Sequence, residues 1–343
     1  MKAITLGLDI AKDVFQVHGE DASGKAVLQK RLRRSQVLKF FAKLEPALIG
    51  IEACGSAHYW GRELRSLGHE VRLIPPAYVK PFVRRNKNDA RDAAAICTAV
   101  RRPDMRFVAI KSVEGQASRG LERSRDLLVK QHTQLMNSVR SQLAEFGIIA
   151  KKGRCGFAEL CELIAAGDEQ IPELFLPVLR LLLQQIDRLD VASAAIEAKI
   201  MAVAKADPAM LRLATIPGVG GLTAHAIVTA IGDGQQFASS RDFAAWCGLT
   251  PHGNSSGSKR REGGISRQGE IRLRKLFSLG ASTIVSSARA RTGRATAWQR
   301  GILARRPVKV VVLAQAAKNA RIAWAMLTAG TTYRRPAAPS PAV

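Results

Sequence analysis

The chain has 343 residues, with 53 Lys+Arg against 28 Asp+Glu for a net charge of +25, and 47% of its residues are hydrophobic. That balance excludes a globally disordered chain, and the length suits two or three domains. No apolar run approaches the roughly 20 residues of a membrane span and no signal-peptide layout opens the chain. Five scattered cysteines (Cys54, Cys97, Cys155, Cys161, Cys247) without a CxxC pair speak against a disulfide scaffold or zinc ribbon, so a cytoplasmic protein is expected.

In chain order, Ile4, Leu6 and Leu8 alternate as in a strand. Val14, Phe15 and Val17 follow, then Ala26, Val27 and Leu28 after a Ser23-Gly24 turn. Residues 35–44 read as a helix capped by Ser35. A buried strand is predicted over 47–53, a helix over 59–67 ending at Gly68, a strand over 71–74 closed by Pro75-Pro76, and a helix over 89–100. Three strands, helix, strand, helix, strand, helix is a mixed α/β order, that of the ribonuclease H-like fold.

The middle is helical. Leu121, Leu128 and Leu135 recur at seven, with Leu143 and Phe146 continuing the apolar side. A cleaner seam follows in Leu179, Leu182, Ile186, Leu189, Ser193, Ile196, Ile200 and Val203, spaced as heptad a/d positions with one polar interruption. An intramolecular helical hairpin and a coiled-coil dimer fit this seam equally well. Beyond residue 207, IPGVGGLTAHAIVTAIGD places a Gly-rich turn between apolar segments, and a Gly- and Ser-rich basic loop runs over 253–267 before further helix. Residues 331–343, rich in Pro and Ala, read as a disordered tail. The expected partition is 1–105, 106–206 and 207–330, followed by that tail.

The charge is unevenly spread. After Glu270 the remaining 73 residues hold 14 Lys+Arg and no acid, and residues 259–275 carry seven basic residues against Glu262 and Glu270. A surface this one-sided repels itself unless a polyanion neutralises it, which points to nucleic acid. A merely solvated face mixes its signs, and the basic segments lack the insertion face that an anionic membrane would call for.

Four acids sit where this fold brings residues together. Asp9 ends the first strand in LGLDIAKD, and Glu52 ends the central strand in IGIEACG. Asp89 and Asp92 share a helix face in KNDARDAAAIC. Strand ends plus a facing helix can hold two hard divalent cations, which take oxygen ligands and clamp an in-line phosphoryl displacement. Singly, each acid could be a turn residue or a helix cap, and Asp13 could be an auxiliary. Jointly, acids that follow apolar strands favour a metal site.

In IPGVGGLTA, which resembles a helix-hairpin-helix element, Gly218 and Gly220 would let backbone N–H groups approach DNA phosphates. An ordinary helix connector is the alternative. In the serine loop, Ser255, Ser256 and Ser258 stand beside Lys259, Arg260 and Arg261, with Arg267, Arg272, Arg274 and Lys275 following as further nucleic-acid contacts. A serine needs a base or metal, and cations for the developing phosphate charge, before it attacks phosphorus. Spacing alone does not distinguish this from a flexible basic loop. His58 and His252 read as structural or substrate-contacting.

LDIAKDVFQVH, GIEACGSAHYW, KNDARDAAAIC, IPGVGGLTA and the GLTP…SSG…GGISRQG…LRK block together resemble a bacterial insertion-sequence transposase of the DEDD type, related to Piv-type DNA invertases. The resemblance runs through nearly the whole chain, in family order. It implies a RuvC-like N-terminal domain, a helical coiled-coil middle and a mostly helical C-terminal transposase domain. It further implies Asp9, Glu52, Asp89 and Asp92 as ligands of Mg²⁺, two ions per site with Mn²⁺ as a substitute. The serine before the SG glycine, Ser256 with Ser255 preceding it, would be the nucleophile of a covalent phosphoserine–DNA intermediate. The partners so implied are donor and target DNA, a structured bridge RNA that pairs with both, and further copies of the chain as dimers paired into tetramers, in the nucleoid. A RuvC-like junction nuclease activating water is the competing enzyme, and a non-enzymatic nucleic-acid scaffold the third reading.

Overall fold

A computed structural model describes residues 4–83, 89–256, 259–290 and 295–334, apart from the side chains of 254–262. The chain clusters into two compact units, Met1–Gln116 and Ala117–Val343. The helical middle thus falls in the same unit as the C-terminal segment.

The first unit runs β1 (Thr5–Asp9), β2 (Val14–Glu20), β3 (Ala26–Arg33), α1 (Val37–Phe41), β4 (Leu48–Glu52), α2 (Ala57–Ser66), β5 (Glu70–Ile74), α3 (Pro76–Val79) and α4 (Asp89–Val100). Its five-stranded sheet has the order β3-β2-β1-β4-β5. The β1–β2–β3 run is antiparallel, whereas β4 and β5 join parallel to β1. This architecture is compatible with the ribonuclease H-like fold expected from the element order. Period-2 alternation assigns the two faces. Leu6, Leu8, Ile49 and Ile51 point to one side, where they pack with Phe15, Phe41, Ala57, Trp60 and Leu64, each such apolar side chain contributing roughly 1.5–3 kcal/mol. One expectation is corrected: Ser35 caps no helix. It lies inside a 3₁₀ turn, Arg34–Gln36, whose start is tied by the Arg33 N–H donating to Gln36 Oε1 at 2.9 Å, and α1 ends at Phe41.

Most of α5 (Val113–Ala144) belongs to the second unit, with α6 (Arg154–Ala166), α7 (Leu176–Ala206), α8 (Pro208–Leu213), α9 (Gly221–Ile231) and α10 (Ser240–Trp246). A hairpin of β6 (Pro251–Ser256) and β7 (Lys259–Ile265) follows, then α11 (Ile271–Ala290), α12 (Ala297–Leu303) and α13 (Val308–Ala329). The heptad seam is filled from within the chain: Leu179 and Ile186 of α7 share a core with Val139 and Leu143 of α5 and Phe157, Leu160 and Ile164 of α6. Arg125 pairs with Glu197 at 2.6 Å and His132 with Asp190 at 3.2 Å, so α5 and α7 run antiparallel. Within the chain, this seam packs as an antiparallel hairpin. A second core joins Ile227 of α9, Phe243 of α10 and Phe277 and Ala281 of α11 to Ala316, Ala320 and Ala323, whose small side chains let α13 lie close. Among the described residues no helix is long and apolar enough to cross a membrane. The tail expected from 331 onward falls outside the described residues after 334.

Candidate active site

Asp9 and Glu52 end neighbouring parallel strands. The register pairs Gly7 with Gly50 and Leu8 with Ile51, so both acids continue the glycine face of the sheet. A Cβ on Gly7 would stand 2.0 Å from the Ala93 carbonyl oxygen, and one on Gly50 2.8 Å from Val100 Cβ. The paired glycines therefore leave a bare strip on which α4 lies against the strands. α4 buries Ala93, Ile96, Cys97 and Val100. The same helix face, one turn earlier, carries Asp89 and Asp92.

Asp9, Asp89 and Asp92 each offer a carboxylate oxygen within 4.8 Å of the other two. Asp9 and Asp92 are half-buried and Asp89 is exposed. Two negative charges at that separation repel by about 1 kcal/mol in water and about 3–4 kcal/mol at the effective dielectric near a protein surface. A hard divalent cation converts this repulsion into binding, and an all-oxygen donor set suits Mg²⁺ or Mn²⁺ better than zinc. Glu52 is outside the 4.8 Å group, yet its charge reaches the same place: lost solvation, then the Glu52 and Asp9 carboxylates, push the Cys54 thiol up. The structure thus gathers three of the four expected acids and sets the fourth on the adjoining strand end. Lys87 and Asn88 of the KNDARDAAAIC motif lie outside the described residues.

The serine segment is not the loop expected from its Gly and Ser content. It is an antiparallel hairpin in which Ser256 pairs with Lys259 and Ser255 with Arg260. Gly257, Ser258 and the side chains of Ser255, Ser256, Lys259, Arg260 and Arg261 lie outside the described residues, so these positions have at most a backbone place. The base of the hairpin is firmly built. Ser266 N–H donates to Thr250 O at 2.9 Å and Glu270 N–H to Trp246 O at 3.0 Å. Arg267 holds a left-handed backbone at φ 57°, a conformation uncommon for a non-glycine residue. Arg274 Nη1 donates to Cys247 O at 3.1 Å and to Gln268 O at 2.8 Å.

Two residues expected to contact nucleic acid also have partners within the chain. Arg274 acts as that backbone clamp. Arg272 pairs with Asp126 and donates to Glu122 O at 2.8 Å, because a buried acid beside it requires a cation. Lys275 stays exposed. The turn between α8 and α9 has Gly218 at φ 77°, and a Cβ there would stand 2.7 Å from the Gly280 carbonyl oxygen of α11. Gly218 thus has a packing reason, whereas Gly220, at the N-cap of α9, is exposed with open space around it.

A DEDD transposase model of the IS110 type matches residues 6–148, and the model of the transposase IS116/IS110/IS902 family matches residues 210–296. A probable family 20 transposase of Pseudomonas aeruginosa is 45% identical over 336 residues, 97% of this chain and 99% of that one. The chain belongs to the IS110-type transposase family. The transposase for insertion sequence element IS1111A of Coxiella burnetii is 40% identical, covering 96% of this chain and 91% of its own. A pilin gene-inverting protein of Moraxella bovis is similar over a shorter stretch, 40% identical over 78 residues, 22% of this chain and 24% of its own. This transposase is therefore an insertion-sequence enzyme of DNA recombination, and DEDD domains of its kind use divalent metal ions.

Sequence reasoning missed a buried polar cluster in the second unit of the transposase. Glu122 and His225 are both fully buried, with Glu122 Oε1 2.7 Å from His225 Nδ1. Ser118 Oγ lies 2.7 Å from His225 Nε2, and Thr229 donates to Glu122 at 2.8 Å. Arg119 bridges Glu122 and Glu270 at 2.8 and 2.9 Å. Burial pushes the Glu122 carboxyl up, but the His225 hydrogen bond, Arg272, Thr229 and Arg119 outweigh it and hold the group below its ordinary range. The cluster pins α5 to α9 and α11, beside the hairpin base. Its only sequence trace is a histidine on the otherwise apolar helix α9. The paired glycines were more legible: Gly7-x-Asp9 and Gly50-x-Glu52 repeat one pattern, a glycine two residues before the acid.

Proposed function

We infer that this transposase exchanges DNA strands by serine-mediated phosphoryl transfer at a two-cation carboxylate site. The observation that carries the reading is the convergence of Asp9, Asp89 and Asp92 within 4.8 Å, next to the strand end that bears Glu52. Asp9, Glu52, Asp89 and Asp92 would hold Mg²⁺, with Mn²⁺ able to replace it. When bound, such a pair supplies Lewis-acid stabilisation of the attacking and leaving oxygens. The Ser256 hydroxyl oxygen bonds to phosphorus as the scissile ester bond breaks. The serine loses a proton and the departing DNA hydroxyl gains one. Attack by the hydroxyl of a second strand reverses the step and frees the serine. The basic residues after Lys259 neutralise phosphates, and Gly220 presents backbone N–H groups to another stretch of DNA.

The family resemblance adds a bridge RNA that pairs with donor and target DNA, and dimers that assemble into tetramers in the nucleoid of the cytoplasm. On this reading 1–105 serves as metal site, 106–206 as dimer arm and 207–330 as the part that carries the serine hairpin.

The deciding test is a covalent-adduct assay. Protein, Mg²⁺, element-end DNA and the RNA encoded beside the gene are incubated, denatured and resolved by mass. A DNA-linked peptide containing Ser256, lost in Ser256→Ala while DNA binding persists, is the expected result. Cleaved DNA without an adduct would refute the serine role and establish water as the nucleophile, as in the junction-nuclease reading.

A further inference from the structure

The first unit contains a cavity of about 730 Å³ that the carboxylate site does not use. It falls within the roughly 300–1,000 Å³ typical of ligand pockets. Asp13 from the β1–β2 connection, Arg33, Arg34 and Ser35 from the end of β3, and Tyr59 and Trp60 from α2 line it. The Arg34 N–H donates to Asp13 O at 2.9 Å, joining two of these segments. Trp60 belongs to the core on the Leu6, Leu8, Ile49 and Ile51 face, so the cavity lies across the sheet from α4. It is nevertheless at the same end of the sheet as Asp9 and Glu52. Asp13 follows Asp9 by four residues, a reach of at most ~14 Å at about 3.5 Å per extended residue.

The lining has a particular chemistry. Tyr59 is 42% exposed and meets the Trp60 ring edge-on, with centroids 5.2 Å apart. Trp60 itself is 3% exposed, and its Nε1 is a buried donor with no hydrogen-bond partner. The Arg34 guanidinium lies 5.2 Å over the indole, and no acid bridges Arg33 or Arg34 among the described residues. An aromatic face with one side open, a carboxylate acceptor and two guanidinium groups match one ligand class. The Tyr59 ring stacks a base, Asp13 reads polar groups on its edge, and the arginines take a phosphate. A base inside a duplex is unavailable for this, since its faces are already stacked.

We propose that this cavity binds one unstacked nucleotide of the strand being processed, within a few nucleotides of the phosphate held at the carboxylates. The site anchors the strand beside the cut, and it rests on the reading of the first unit as the place of phosphoryl chemistry.

The test uses full-length protein and 12-nucleotide single strands, DNA and RNA in separate arms, each with one 2-aminopurine. Anisotropy and 2-aminopurine fluorescence are read in EDTA, so that binding is separated from cleavage. Tyr59→Leu is expected to weaken single-strand binding about 5- to 150-fold and to abolish the stacking-induced fluorescence change. Tyr59→Phe should behave as wild type, and duplex binding should be unchanged in both. Arg34→Ala should weaken single-strand binding as well, and its thermal transition is read alongside because the guanidinium also covers Trp60. The loss is expected in the DNA arm, and a loss confined to the RNA arm overturns the proposal. Equal loss for duplex and single strand, or no loss in Tyr59→Leu with an unchanged thermal transition, overturns the proposal. Asp9→Asn should lose cleavage and keep the fluorescence change. If wild type and Asp9→Asn cleave alike while the Tyr59 effect holds, the carboxylate reading fails and the pocket stands.

Discussion

Gly7→Ala tests the link between packing and chemistry most directly. Its new methyl would stand 2.0 Å from the Ala93 carbonyl oxygen and 2.6 Å from Cys97 N, both backbone atoms of α4. Ordinary contact begins at about 3.4 Å, so the helix must retreat by about 1.4 Å, the difference between 3.4 and 2.0. Overpacking of this kind costs typically 1–3 kcal/mol. Asp89 and Asp92 travel with the helix away from Asp9, whereas Mg²⁺ demands near-ideal geometry at roughly 2.0–2.1 Å from oxygen. A misplacement of about 1 Å is worth on the order of 100-fold in rate. Stability is measured by urea unfolding, ion affinity by titration calorimetry with Mn²⁺, and activity by metal-dependent strand cleavage. Cleavage should fall about 100-fold or more, with DNA binding retained. Gly50→Ala should be milder, because its methyl meets the side chains of Val100 and Ile96 first and these can yield. A Gly7→Ala protein within about 0.5 kcal/mol of wild type and fully active, or one less affected than Gly50→Ala, would refute the reasoning.

Glu122→Ala leaves Arg119, Arg272 and His225 without their shared acid, so a loss of about 3–5 kcal/mol is expected, or roughly 6–20 °C in Tm, read by calorimetry. Because the folded Glu122 carboxyl is held below its ordinary value, its contribution is present above the unfolded pKa of about 4.3 and fades as pH falls through the folded value. Wild type and Glu122→Gln should therefore converge in stability on acidification, and a gap unchanged between pH 7 and pH 3 would contradict this. Gly120→Ala, inside α5 with open space at its Cβ, should raise stability by up to about 1 kcal/mol in urea unfolding, and a decrease would count against the helix there.

Local signals carried the first unit well. Strict alternation in β1, apolar runs in β4 and β5, and the Asp89–Val100 helix were all readable, because each follows one periodicity over its whole length. The carboxylates were legible for a related reason: acids at the ends of apolar strands violate the pattern that surrounds them. The hairpin at residues 251–265 was not, since Gly, Ser and Arg alternate with no apolar face and its pairing is set by the backbone. The partners of Arg272 and Arg274 within the chain were not legible, because a basic run shows none in sequence. Apart from the nearby Gln268 carbonyl, their acceptors, Asp126, the Glu122 carbonyl and the Cys247 carbonyl, are supplied by folding from 27 to 150 residues away. Likewise, nothing in the sequence shows that Gly218 lies against α11.

The buried acid on α5 has a consequence for how the protein is made. Glu122 leaves the ribosome 103 residues before His225 and 150 before Arg272. Throughout that interval its carboxylate must stay wetted, so α5 cannot settle into its final place while the nascent chain is short. A fragment over residues 106–206 would carry every heptad position and Arg119, yet lack His225, Thr229 and Arg272. The end of α5 that bears Glu122 therefore reaches its buried place only after the segment from His225 to Arg272 has been made.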